Sequence, residues 1–158
     1  MQNEVKVHND ELLQLVTFKV GSEEFGIEIF SVKEIIRMLN ITKVPKAPDF
    51  VEGVVNLRGK VIPIIDMRKR FGMDSLNHDK HTRIVVVEME NVMVGYVVDA
   101  VSEVLRIPSD TVEPPPSVVA GIDAEYINGV GKLENRLLIM LDLNKLLKTE
   151  EKNSLNQL

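Results

Sequence analysis

The stretch from Gly53 to Phe71 has a second copy, in pattern, from Gly129 to Leu147. Each reads as a strand, a tight polar turn, a nearly all-apolar strand and a short helix opened by aspartate. At an offset of 76 positions Gly53 falls on Gly129, Leu57 on Leu133, Asp66 on Asp142 and Phe71 on Leu147. A second block, 25–37 against 94–106, matches at an offset of 69, with Gly26 on Gly95, Val32 on Val101, Glu34 on Glu103 and Arg37 on Arg106. Two blocks repeating in the same order restrict the fold to a pair of similar supersecondary units. With only two copies this is a pseudo-symmetric pair and not a solenoid.

The rest of the chain fills in around that pair. Residues 1–11 and 148–158 are polar and read as flexible tails. Leu12–Val20 and Glu23–Ile29 form a hairpin across Gly21-Ser22, with Phe25, Ile27 and Ile29 on one face. Ser31 and Glu34 have capping-box spacing, and Val32, Ile35, Ile36 and Leu39 follow at i, i+3, i+4 and i+7, which predicts a short amphipathic helix. Val61–Ile65 is apolar at consecutive positions, as in a strand covered on both faces, and Pro63 argues for an edge or bulge. Asp66 caps a helix over Met67–Phe71, and the polar run 74–81 joins the halves. Thr82–Met89 and Val92–Val98 form another hairpin. Val101–Ile107 matches the first-half helix by repeat, but its sequence fits a strand and is read as one. Pro114-Pro115-Pro116 stiffens a loop, Tyr126–Leu133 and Arg136–Leu141 close the last hairpin, and Asp142 opens a final helix. Many short strands and few helices in two similar halves predict two small barrels, each curling to hide its edges.

Little in the sequence advertises chemistry. There is no cysteine, which removes disulfides, thiolate metal sites and cysteine nucleophiles. His78 and His81 flank Asp79 in the polar junction and read as linker, and His8 reads as a surface residue. Asp66 and Asp142 are the repeated carboxylates. They read as helix caps ahead of a paired acid and base, while Asp99 closes a turn or faces the seam. Gly129 and Gly131 lack the remainder of a dinucleotide fingerprint. A formal net charge of −5 disfavours a nucleic-acid or anionic-membrane binder, and Arg68-Lys69-Arg70 is too short a basic run to change that. No apolar run is long enough for a membrane span, and the polar start lacks a signal peptide's regions. The expectation is an intracellular binding module with no cofactor and no metal.

The run from Phe50 through Gly53, Asn56, Leu57, Arg58 and Gly59 to Asp66 and Arg68 carries a family resemblance, supported by Phe25–Ile29, by Val32 with Glu34 and Ile35, and by Gly95–Val101. In this order and spacing the chain resembles the CheW family of chemotaxis coupling proteins across about Leu12–Leu147. The resemblance implies an all-β fold with short helices, two five-stranded SH3-like barrels packed on each other. It makes 12–147 one CheW-like domain, with the first barrel mainly 12–73 and the second mainly 82–147, strand exchange between them being left open. It implies a non-enzymatic cytoplasmic adaptor, recruited to membrane-associated arrays, that couples the cytoplasmic tips of methyl-accepting receptors to the regulatory domain of the histidine kinase CheA. A CheV-like or other scaffold-binding module is the alternative.

The receptor-binding groove implied by the resemblance takes Val32, Glu34, Ile35, Gly53, Asn56, Leu57, Arg58, Val98, Asp99 and Val101. The kinase-facing residues are not placed by motif. An apolar strip of Val32, Ile35, Leu57 and Val98 suits a helical tip lying in a groove. Arg58 offers a donor fork to a receptor carboxylate or carbonyl, or pairs internally with Glu34 or Asp99. Leu57 and Val32 read equally as barrel core.

Overall fold

The computed structural model describes residues 12–119, 121–156 and 158; the expected tail 1–11 lies outside the described residues. In chain order the strands are β1 (Leu12–Val20), β2 (Glu23–Glu28), β3 (Val32–Arg37), β4 (Gly53–Leu57), β5 (Lys60–Asp66), β6 (Arg83–Met89), β7 (Val92–Val98), β8 (Ala100–Pro108), β9 (Val112–Glu113), β10 (Val118–Val119), β11 (Ile122–Asp123), β12 (Ile127–Leu133) and β13 (Arg136–Leu141). Three short α-helices among the described residues accompany them: α1 (Met67–Arg70) after β5, α2 (Leu143–Leu146) after β13, and α3 (Thr149–Leu155).

Two sheets result, ordered β8-β1-β2-β13-β12-β9 and β3-β6-β7-β5-β4, and β10 and β11 pair separately. Offsets of 69 and 76 map the first five strands of one sheet onto the five of the other, strand for strand. Each barrel nevertheless takes strands from both copies of the repeat. β1 and β2 leave the first copy to join β8, β12 and β13, while β6 and β7 leave the second to join β3, β4 and β5. Each barrel therefore draws on both 12–73 and 82–147, by the strand exchange that the sequence leaves open. Each exchange is secured by long antiparallel pairing, Leu12 to Lys19 against β8 and Val32 to Arg37 against β6.

The segment after Ser31 is strand β3 and not the expected helix. Its burial alternates along the strand, Val32, Glu34 and Ile36 being partly buried and Lys33, Ile35 and Arg37 exposed, with Val32 against the shared core and Ile36 against its own barrel's core. A register shift between Val32 and Glu34 lets this edge strand bend around the barrel. The β-branched Val32, Ile35 and Ile36 suit that geometry, and pairing with β6 satisfies backbone groups that the capping box was expected to serve.

Consecutive apolar residues are explained by burial on both faces. On β5, Ile62 and Ile64 fill their own barrel while Ile65 enters a core shared by the two barrels. On β13, Leu138 and Met140 fill the other barrel while Ile139 and Leu141 enter the shared core. Pro63 sits just before the β5–β7 pairing begins at Ile64, where its missing N–H costs no bond in that ladder. Gly95 is needed for close approach: a Cβ there would lie 2.7 Å from both Ile64 Cδ1 and Ile84 Cγ2. Phe18, Phe25 and Phe71 run through the shared core with ring centroids 5.9 and 5.1 Å apart.

The segment Thr149–Leu155 is also structured. Leu155 and Lys152 of α3 are buried, Leu155 within the shared core. Arg70 donates from Nη1 and Nη2 to the two carboxylate oxygens of Glu151, and from Nε to the Leu146 carbonyl at 2.8 Å. The expectation of a flexible tail over 148–158 is corrected for Thr149–Leu155, because one leucine and the aliphatic stems of charged side chains supply the docking face.

Candidate interaction surface

Arg58 occupies the tip of the β4–β5 hairpin. Its φ of 51° and that of Gly59 at 86° give the two-residue turn whose twist matches its strands. The Asn56 side chain accepts from the Gly59 amide at 2.9 Å and fixes the turn. Left-handed backbone is unfavourable for an arginine, and the Asn56 bond and Gly59 hold it there, while the guanidinium is oriented by Glu34. That group donates from Nη1 to Glu34 Oε1 at 2.9 Å and from Nη2 to Glu34 Oε2 at 2.5 Å. The hydrogen bond and the charge of Glu34 raise the Arg58 pKa, and the same hydrogen bond lowers that of Glu34.

β3 and β4 are the outer strands of the five-stranded sheet, so this fork ties its two edges together. Thr42 and Val54 add backbone bonds of 2.8 Å in both directions at the same seam. Ile35, one residue from Glu34, and Val61, just past the turn, are exposed apolar side chains there. The other barrel presents the same motif: Glu103 of β8 accepts from Arg136 of β13 at 2.7 Å, and Val104 and Leu137 are exposed. Glu103, Val104 and Leu137 are the repeat positions of Glu34, Ile35 and Val61. Val61 and the Glu103–Arg136 pair were missed from sequence, although applying both offsets to the groove residues would have found Glu103 and Val104.

The ten groove residues do not form one continuous surface. Glu34, Asn56 and Arg58 come together around the hairpin tip, and Ile35 lies beside them on the outer face of β3. Leu57 packs against its barrel's core. Val32 and Val101 are partly buried and pack on the shared core. Val98 is only 1% exposed and Gly53 is buried, so neither offers a contact surface in this conformation. A Cβ on Gly53 would meet the Thr42 carbonyl at 2.4 Å, which makes it a packing residue. Asp99 is engaged elsewhere, accepting from Arg68 Nε at 2.8 Å, from Arg68 Nη2 at 2.6 Å and from the Gly21 amide at 2.8 Å.

Asp66 and Asp142 are helix caps. Their side chains accept from the amides of Arg68 at 2.9 Å and Asn144 at 3.0 Å. In the junction, Asp79 accepts from the His81 amide at 2.8 Å and serves a turn. No group of three or more His, Asp or Glu side chains among the described residues could hold a metal ion. No helix among them is long and apolar enough to cross a membrane. The arrangement provides exposed apolar side chains beside fixed ion pairs, which suits protein recognition.

Comparison with known proteins agrees with this picture. The model of the CheW-like domain matches residues 14–151. The chain is 39% identical over 138 residues to the chemotaxis protein CheW of Klebsiella aerogenes, covering 87% of this chain and 83% of that one. It is 38% identical over 154 residues to that of Treponema pallidum, covering 95% and 91%. The crystal structure of the scaffolding protein TtCheW from Thermoanaerobacter tengcongensis superposes with a TM-score of 0.81 at 38% identity, covering 91% of this chain and 93% of that one.

Proposed function

The chain belongs to the CheW-like domain family and is a chemotaxis coupling adaptor, and from that premise we propose that it joins the cytoplasmic tips of methyl-accepting receptors to the regulatory domain of the histidine kinase CheA. The family is one of non-catalytic scaffolds, and the work of such a protein is to hold partners in register. The names of the curated relatives favour this coupling role over a CheV-like or other scaffold reading. The proposed setting is the cytoplasm, with recruitment to membrane-associated receptor arrays.

The observation that carries the receptor assignment is the Glu34–Arg58 fork beside exposed Ile35. A helical receptor tip would lay an apolar side chain on Ile35 and the accessible parts of Val32 and Leu57, and would meet polar groups already held in place at Asn56, Glu34 and Arg58. Preorganisation matters here because a side chain already fixed by a turn loses less freedom on binding. Gly53 supports that face by packing against Thr42, while Val98, Asp99 and Val101 lie outside the proposed contact.

The test is calorimetric titration of a receptor cytoplasmic fragment, and separately of the kinase regulatory domain, into the wild-type protein and Arg58→Ala. Loss of charge-assisted hydrogen bonds should weaken receptor binding roughly tenfold or more, with the far-ultraviolet circular dichroism and the kinase affinity unchanged. Unaltered receptor affinity would remove Arg58 and its fork from the interface. Absence of binding to either partner by the wild-type protein would defeat the bridging role itself.

A further inference from the structure

The repeat allows one barrel to be read against the other at a place away from the receptor-facing seam. Offsets of 69 and 76 carry Val97, Asp99, Asp66 and Arg68 onto Glu28, Phe30, Asp142 and Asn144. Each set of four lines a hollow, one on each barrel. The first is crossed by the connection 72–82 and divided into hollows of about 100 and 270 Å³, with Leu76 and His78 in the walls of both. Ser75 Oγ donates to Asp66 Oδ2 at 2.7 Å, and Arg68 Nη1 donates to the Asp74 carbonyl at 3.3 Å.

No segment among the described residues crosses the second hollow in this way, and it remains a groove of about 310 Å³. Phe30 stands in it 79% exposed, where its counterpart Asp99 is tied down by Arg68 and the Gly21 amide. Asp142 uses Oδ1 for its cap, as Asp66 does. Its Oδ2 has the Lys145 ammonium at 3.8 Å in the place where Asp66 receives a hydroxyl.

We propose that this groove is a docking site for an extended segment of a partner protein, one carrying a Ser or Thr hydroxyl, an adjacent apolar side chain and flanking Lys or Arg residues. The connection 72–82 supplies the geometry. A hydroxyl would donate to Asp142 Oδ2, and the next side chain would cover Phe30, Met89 and Leu143. Charge selects the flanks: Glu28, Glu88 and Asp142 line the groove, and the lysines that pair with two of them, Lys33 at Glu88 and Lys145 at Asp142, are more than half exposed and free to swing aside for a cation on the partner. Residues 1–11 of the chain itself carry one lysine against Glu4, Asp10 and Glu11, the same sign as the groove. That mismatch favours a separate, basic partner.

The experiment titrates a capped peptide, Gly-Lys-Ser-Leu-Asn-Lys-Gly, into the isotope-labelled full-length chain and follows backbone amides by NMR. Saturable shifts should concentrate at Phe30, Asn128 and Asn144. Affinity should fall at least tenfold in Phe30→Ser and in Asp142→Asn, which retains a capping side chain, and should vanish when both lysines of the peptide are replaced by glutamate. No saturable shift, shifts mapping elsewhere, or wild-type affinity in Phe30→Ser would overturn the proposal. So would a chain beginning at residue 12 whose groove amides have already moved without peptide, since the chain's own start would then be the occupant. None of these outcomes bears on Arg58 or the receptor-facing seam, so failure here and failure of the bridging role are separately visible.

Discussion

Replacement of Leu155 by alanine tests whether α3 is part of the folded core. The side chain is 4% exposed and lies in the cluster that holds the two barrels together. Removing a buried leucine side chain costs about 2–5 kcal/mol, the lower end applying where the surroundings can close on the cavity. α3 is a terminal helix of seven residues that can shift inward, so about 2–3 kcal/mol is expected. The loss is also bounded, because a helix that detaches regains roughly 1–2 kcal/mol of backbone entropy per residue. For a chain of 158 residues each kcal/mol moves Tm by about 2–4 °C, so the midpoint should fall by about 4–12 °C. Differential scanning calorimetry gives the shift, and hydrogen exchange at the α3 amides shows whether the helix loosens first. A midpoint within 1 °C of wild type, or a fall with α3 protection unchanged, would refute the argument that Leu155 anchors this helix.

Three further outcomes follow from neighbouring contacts. Burial raises the Glu151 pKa, but hydrogen bonds from Arg70 and the Lys148 amide outweigh it and leave the carboxyl below its ordinary value. A lowered carboxylate pKa adds stability above the unfolded value of about 4.3 and loses it as pH falls through the folded value. Glu151→Gln should therefore melt below wild type at pH 7, and the gap should close on acidification below about pH 4; a gap constant with pH would contradict this. Gly95→Ala forces a methyl group against Ile64 and Ile84 and should cost about 1–3 kcal/mol by urea denaturation, more than Gly26→Ala, whose nearest contact is 3.2 Å; equal costs would count against the packing argument. Tyr96 Oη is buried with no hydrogen-bond partner among the described residues, and burial holds the phenol well above its usual pKa. Tyr96→Phe removes that orphan and should leave stability equal or up to about 1 kcal/mol higher; a loss of more than 1 kcal/mol would mean that the hydroxyl is satisfied.

The repeat was legible because its landmarks are scarce and chemically specific. A glycine that admits a neighbouring strand and an aspartate that caps a short helix each return at a fixed offset. β3 was misread because Val32, Ile35, Ile36 and Leu39 satisfy the helical period by coincidence. Ile35 in fact faces outward, and an exposed apolar residue cannot be told from a buried one by spacing. Applying the repeat consistently would have exposed the conflict, since the equivalent Val101–Ile107 had already been read as a strand. α3 was missed for the opposite reason: Thr149–Leu155 buries one leucine and the stem of Lys152, so it carries no apolar period to detect. At the candidate surface, the sequence pointed to the Glu34–Arg58 pair but not to its choice over Asp99. Asp99 is paired with Arg68 instead, a contact between residues 31 positions apart that no local pattern announces.

The exchange of strands between barrels separates what the chain repeats from what can fold. One copy of the repeat contributes two strands to one barrel and three to the other, so neither copy is an independent folding unit. A cut within 72–82 would leave two fragments that are each other's missing scaffold, able to become ordered only by interlocking. For a protein whose work is to hold partners in register, the same interlock acts as a mechanical joint without a hinge. The barrels cannot separate without unzipping a ladder at each crossover, so a push delivered to one is felt by the other as displacement of a single body.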